Sequence, residues 1–156
     1  MAPPALRILI AAVGRAKAGP HLDLQRLYAE RLSWPLDIKE VEERRKLPAP
    51  ERKACESELL LGCLPERAFV VALDERGTSL ASVDFAAQVA KWQQAAPTIA
   101  FLIGGADGHA DAVRQRADRL LAFGAMTWPH LMVRAMLCEQ LYRAQQILAG
   151  HPYHRE

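Results

Sequence analysis

The chain reads as one α/β domain built on a mainly parallel sheet with helices on both faces. Three observations point there. Its 156 residues match the size of a single domain. Its apolar runs are short and continuous, as in strands covered on both sides, rather than alternating. Amphipathic patterns separate those runs in turn, which implies right-handed crossovers onto a shared sheet.

Ala5 to Val13 is the first strand, with Ile8, Leu9, Ile10 and Val13 in a nearly unbroken run. Leu22, Leu24, Leu27, Tyr28 and Leu32 recur at helical steps until Pro35 stops them. Leu36 to Val41 is a weaker strand, followed by a charged, proline-punctuated loop over residues 42–53. Glu51 to Leu64 places Cys55, Leu59 and Cys63 on one helical stripe, with Pro65 just beyond. Ala68 to Leu73 is an apolar strand. Ser82 to Gln94 is a helix with Phe85, Val89 and Trp92 on one face and Ser79 or Ser82 available as N-cap. Thr98 to Ile103 is again fully apolar. Ala110 to Phe123 reads as a fourth helix closed by Gly124 in a left-handed cap, with a short fifth strand expected at Ala125 to Thr127. The last helix opens at Pro129, runs to Ala149 and ends at Gly150.

At 51% apolar and 24% charged residues the chain is too hydrophobic to be disordered. A domain of this length needs no disulfide to hold its core. Cys55, Cys63 and Cys138 are odd in number and form no CxxC pair, which fits a reducing compartment. A net charge of +2 excludes a polycation. Residues 8–13 are too few to span a bilayer and lack a cleavage site behind them, so a cytoplasmic protein with no membrane partner is expected.

Ligands in such sheets bind beyond the carboxyl ends of the strands, where three loops lie. Gly14 to Pro20 is basic and glycine-containing but matches neither GxGxxG nor a P-loop. Ile103 to Gly108 holds three glycines, which fits either close approach of a ligand or a tight turn. Phe123 to His130 is too apolar to be simply solvated and reads as packed core or the wall of a pocket. On the last helix His130 and Arg134 share a face, Arg143 lies about half a turn out of phase with Arg134, and Glu139 is spaced to pair with Arg143. The tail joins His151, Tyr153, His154 and Arg155, residue types that stack on bases and meet phosphate. His151 and His154 lack a third ligand, so no metal is expected. With no nucleophile–base pair and no carboxylate cluster, the chemistry is one in which positioning does most of the work.

Leu73-Asp74, the IGGxxG of Ile103 to Gly108, Ala125-Met126-Thr127 followed by Pro129-His130, Arg134, the helix ending Glu139 to Ala144 and the terminal HPYHRE together resemble one family. It is the bacterial ribosomal RNA large subunit methyltransferase H family, the smallest SPOUT methyltransferases, and the likeness spans essentially the whole chain. The resemblance implies a single SPOUT domain over residues 1–156, with a trefoil knot near the carboxyl terminus, acting as a homodimer. It implies S-adenosylmethionine as cofactor and, as substrate, N3 of a pseudouridine in the 23S rRNA of the assembled ribosome. By carry-over the cofactor pocket comprises Leu73, Gly104, Gly105, Gly124, Ala125, Met126, Thr127, Trp128 and Pro129. Arg143, Tyr142 and His154 are the expected catalytic set, while Tyr153 and Arg155 are expected to hold substrate, with the tail supplied by the partner subunit. His130 and Arg134 are expected to order the knot and dimer face rather than do chemistry, with Arg134 also placed among the substrate-binding residues as a contact to rRNA phosphate. Trp128 departs from the family, where a smaller aliphatic residue is usual. The rival readings are a non-enzymatic nucleotide- or RNA-binding α/β module and a small dimeric scaffold.

Overall fold

Residues 5–155 are described by a computed structural model, and along them strands and helices alternate. The elements are β1 (Arg7–Val13), α1 (Pro20–Arg31), β2 (Leu36–Val41), α2 (Ala49–Gly62) and β3 (Ala68–Ser79), followed by α3 (Ser82–Ala95), β4 (Thr98–Ile103), α4 (Asp111–Arg116), β5 (Arg119–Ala122) and α5 (His130–Leu148). The strands form one sheet in the order β2-β1-β4-β3-β5, and every pairing is parallel. Alternate residues of β1 show why its sequence is apolar throughout. Ile8, Ile10 and Ala12 pack against residues of α3 and α5, whereas Leu9, Ala11 and Val13 share a core with Leu60 of α2 and Val113 of α4. Among the described residues no helix is long and apolar enough to cross a membrane.

Four expectations need correction. The fourth helix stops at Arg116, and the fifth strand lies at Arg119–Ala122 rather than at Ala125 to Thr127, which is loop. Local composition favours helix there, but Leu120 and Leu121 are drawn into the ladder by Ala72 and Leu73 of β3, a pairing no local pattern records. Gly124 does take a positive φ of 101°, yet it follows a strand and caps no helix. The N-cap of α3 is Ala81 without a side-chain bond, because the Ser82 hydroxyl is spent on Gln140, 2.8 Å away on α5.

β3 continues well past Leu73 by breaking register. Leu73 and Thr78 both pair with Leu121, so residues 74–77 leave the ladder between them. Within that break Gly77 lies so close to β5 that a Cβ would stand 2.6 Å from the Leu120 carbonyl carbon and the Leu121 nitrogen. Backbone cannot yield as a flexible side chain can. Gly77→Ala is therefore expected to destabilise the chain by about 2–3 kcal/mol, lowering Tm by roughly 4–12 °C in thermal unfolding.

Candidate functional site

The carboxyl ends of β3 and β4 open on a cleft of about 640 Å³, within the usual range for small-molecule sites. Leu73 and Asp74 line it from β3, the glycine turn of residues 104–108 from β4, and residues 121–124 and 126–130 close the opposite side. The turn is tight, since the Gly108 N–H donates to the Gly105 carbonyl at 3.0 Å.

The register break in β3 is what aims Asp74 at this cleft. Its Oδ1 accepts the Arg76 N–H at 2.8 Å, and its Oδ2 accepts Arg114 Nε at 2.8 Å. Burial pushes the carboxyl up, but the Arg76 N–H and the Arg114 guanidinium outweigh it and hold Asp74 below its ordinary value. Asp74 is thus a committed anion rather than a base awaiting a proton. His109, fully buried at the cleft floor, lies 3.3 Å from the Leu102 carbonyl through Nε2, and burial keeps it neutral by lowering its pKa.

The apolar loop expected as core or pocket wall is a wall. Gly124, Met126, Thr127, Trp128 and Pro129 all line the cleft, while Ala125 between them does not. The Trp128 indole N–H donates to the Phe123 carbonyl at 3.0 Å and cinches the loop across its base. The extra bulk at this position therefore closes the loop on itself. At 40% exposed, the ring remains open to the cleft.

Arg134 is placed to order the fold rather than to meet substrate. Its side chain is 1% exposed and turned inward, so it is not presented to rRNA phosphate. Nη2 donates to the carbonyls of Val13 and Gly14 at 2.9 and 2.7 Å, and Nη1 donates to Glu40. Burial raises the Glu40 carboxyl, but the Ala16 N–H and Arg134 more than offset this and hold it below its ordinary value. The residue thus pins the start of α5 to the carboxyl ends of β1 and β2. His130, one turn earlier, is held neutral by burial and by the Arg134 charge.

The remaining expected residues gather at the other end of α5. Arg143 donates twice to Glu139 Oε1, from Nε at 3.0 Å and from Nη2 at 2.6 Å. Its Nη1 lies 3.0 Å from His154 Nδ1, and because a guanidinium only donates, that nitrogen is the acceptor. The Tyr153 ring lies under Arg143 at 5.0 Å and meets Tyr142 edge-on at 4.7 Å. The Tyr153 hydroxyl donates to Glu139 at 3.1 Å, and burial together with that carboxylate pushes the phenol up to about 12. Arg155 is exposed, and Glu156, the last residue of the terminal motif, lies outside the described residues. At 1.5 Å per residue, Arg143 stands about 20 Å along α5 from His130. Val133, the cleft-lining residue of α5 nearest to it, is still about 15 Å away along the helix, and none of Tyr142, Arg143, Tyr153 and His154 lines the cleft.

Asp74 appeared in the sequence only as part of a motif, and the roles of Arg114, His109, Glu40 and Glu139 were not anticipated apart from the Glu139–Arg143 spacing. Cys138 offers no nucleophile, since burial pushes its thiol up to about 12. Among the described residues no group of three or more His, Cys, Asp or Glu side chains is placed to hold a metal. What the cleft offers is backbone groups, an apolar wall and anchored charges, an arrangement suited to binding and orienting.

The family model described as "Predicted SPOUT methyltransferase" matches residues 6–154. The chain is 63% identical to the ribosomal RNA large subunit methyltransferase H of Paramagnetospirillum magneticum, over 96% of this chain and 99% of that protein. It is 59% identical to the protein of the same name from Rhodospirillum centenum, again over 96% and 99%. Among solved structures, a probable methylase family protein from Haemophilus influenzae Rd KW20 shares the fold, with a TM-score of 0.53 at 11% identity over 99% of this chain and 72% of that one.

Proposed function

The chain belongs to the ribosomal RNA large subunit methyltransferase H family of SPOUT methyltransferases, and on that premise we propose that it methylates N3 of a pseudouridine in the 23S rRNA of the assembled ribosome, using S-adenosylmethionine. The observation that carries the reading is the cleft. Its glycine turn and the apolar Leu73, Trp128 and Val133 suit an adenosine and a methionine chain held by backbone groups and packing.

When bound, S-adenosylmethionine supplies an electrophilic methyl group. Two demands remain for the protein, which are to hold the base in line and to ease loss of the N3 proton. Asp74 is committed to Arg114 and serves neither. Arg143, Tyr142 and His154 form the catalytic set in this reading, with Tyr153 and Arg155 holding substrate. The Arg143 guanidinium favours the anionic form of the base electrostatically. Tyr153 keeps its proton and acts as a hydrogen-bond donor, and the tyrosine rings provide stacking surface.

The distance along α5 makes a homodimer part of the proposal, with each tail completing the partner's cleft. A groove of about 590 Å³ beside α5, with Leu24 of α1, Phe85 of α3 and Met132 and Met136 of α5 in its lining, is the face such a partner would cover. The trefoil knot, the single domain over residues 1–156 and a cytoplasmic site of action belong to the same reading and rest on family membership. A net charge of +2 supports a preference for a shaped ribosomal site, since nonspecific binding to bare RNA needs many phosphate contacts.

Calorimetry tests the cofactor assignment. Micromolar binding of S-adenosylmethionine with no heat from ATP or NAD is expected, whereas ATP binding without S-adenosylmethionine binding would favour a nucleotide-binding module. A Cβ on Gly105 would stand 3.0 Å from Val13 Cγ1 and 3.3 Å from Glu56 Oε2, so a larger residue displaces the turn. Gly105→Val is expected to weaken S-adenosylmethionine binding about tenfold or more in the same measurement, a cost of about 1.4 kcal/mol per tenfold.

A further inference from the structure

Behind the glycine turn, away from the cleft, stands a face of α2 that the proposed chemistry does not use. Three of its residues engage the turn in succession. Arg52 pairs with Asp107, Nε to Oδ2, at 3.5 Å. Glu56, one helical turn later, puts both carboxyl oxygens within 3.3 and 3.4 Å of the point where a Gly105 Cβ would be. Ser57 accepts the Ala110 N–H on its hydroxyl at 3.0 Å, just past the turn. Glu56 is 8% exposed and lines no part of the cleft, and its Oε1 is buried without a hydrogen-bond partner. Leaving a buried acceptor unpaired costs about 1–3 kcal/mol, a reason to look for what the residue does there.

We propose that the Arg52–Glu56–Ser57 face of α2 is a brace that sets the shape of the Gly104–Gly108 turn, with Glu56 as its central positioning residue. The brace fixes which backbone groups the turn presents to the cleft, and its effect on ligand rests on reading that cleft as the S-adenosylmethionine site. Glu56 acts from behind, by filling the space into which Gly105 would otherwise relax, while Arg52 and Ser57 hold the two flanks. Burial and the Asp107 carboxylate push the Glu56 carboxyl up, Arg52 draws it back, and Glu43 adds to the rise. A neutral side chain of the same shape should therefore replace it.

Hydrogen exchange of the amides of residues 104–110, measured without ligand on the full chain, reads the brace directly. Calorimetry with S-adenosylmethionine on the same samples reads its consequence. In Glu56→Ala the turn amides are expected to exchange about tenfold faster, with the core amides of β1 and β4 unchanged. S-adenosylmethionine affinity should fall about tenfold, with KM for S-adenosylmethionine rising while kcat at saturation changes less than threefold. Glu56→Gln should restore both to within threefold, and Arg52→Ala should move both in the same direction more weakly. A turn that exchanges at the wild-type rate in Glu56→Ala overturns the brace, as does loss of kcat without a change in KM, or failure of glutamine to rescue. Should Glu56→Ala not fold, Arg52→Ala decides on the same readouts, because its half-exposed side chain can be removed without opening the core. A wild-type chain that binds no S-adenosylmethionine, while its turn still loosens in Glu56→Ala, leaves the brace standing and removes the cofactor reading.

Discussion

Arg134→Ala is expected to destabilise the chain by about 3–5 kcal/mol, the cost of an emptied buried site together with carbonyls left unpaired. The substitution strands the Val13 and Gly14 carbonyls and leaves Glu40 without its counterion. For a chain of this size that corresponds to a Tm lowered by roughly 6–20 °C in thermal unfolding. Arg134→Met, which fills similar volume without a charge, should lose less, and Arg134→Lys cannot reach all three acceptors with one ammonium. The pH dependence gives an independent check. Glu40 is held below its ordinary value in the fold, so the stability it confers is present above the unfolded-state value and is lost as the pH falls through the folded one. Arg134→Met should flatten that acid limb. An unchanged limb would mean that the Glu40–Arg134 pair does not contribute as described.

Removing the chain after Gly150 is expected to lower methyl transfer about 100-fold or more, the range ascribed to positioned acid–base groups. Arg143→Ala should do the same. S-adenosylmethionine affinity should stay within about threefold of wild type in both, because none of Tyr142, Arg143, Tyr153 and His154 lines the cleft. Mixing Arg143→Ala protomers with Gly105→Val protomers should restore part of the activity, since one cleft of the mixed dimer then receives an intact tail. Radiolabelled transfer reads all three, and full activity in the truncated chain would remove the tail from the mechanism.

The order of strands and helices was legible because the buried strands are apolar on both faces and the helices between them are amphipathic. β5 was not, since Arg119 to Ala122 is composed like a helix and becomes a strand only through β3. The second half of β3 was hidden for a related reason. Its Asp-Glu-Arg-Gly stretch reads as loop, yet it is extended strand that leaves register with β5 and pairs again at Thr78. The glycine turn and the apolar loop announced the cleft, because both are local features. Arg134 did not announce its own burial. Its partners lie 94, 121 and 120 residues away, and spacing on a helix says which residues share a face but not what that face meets. The brace on α2 was invisible for the same reason, its charged residues resembling an ordinary solvated stripe.

The most direct test of the proposed function is transfer of tritiated methyl from S-adenosylmethionine to ribosomes that lack the modification, run beside free 23S rRNA. The account predicts incorporation approaching one methyl per ribosome, at N3 of a pseudouridine in 23S rRNA, with little on the free RNA. Absence of label from ribosomes under conditions where the protein binds S-adenosylmethionine, or equal labelling of the free RNA, would contradict it.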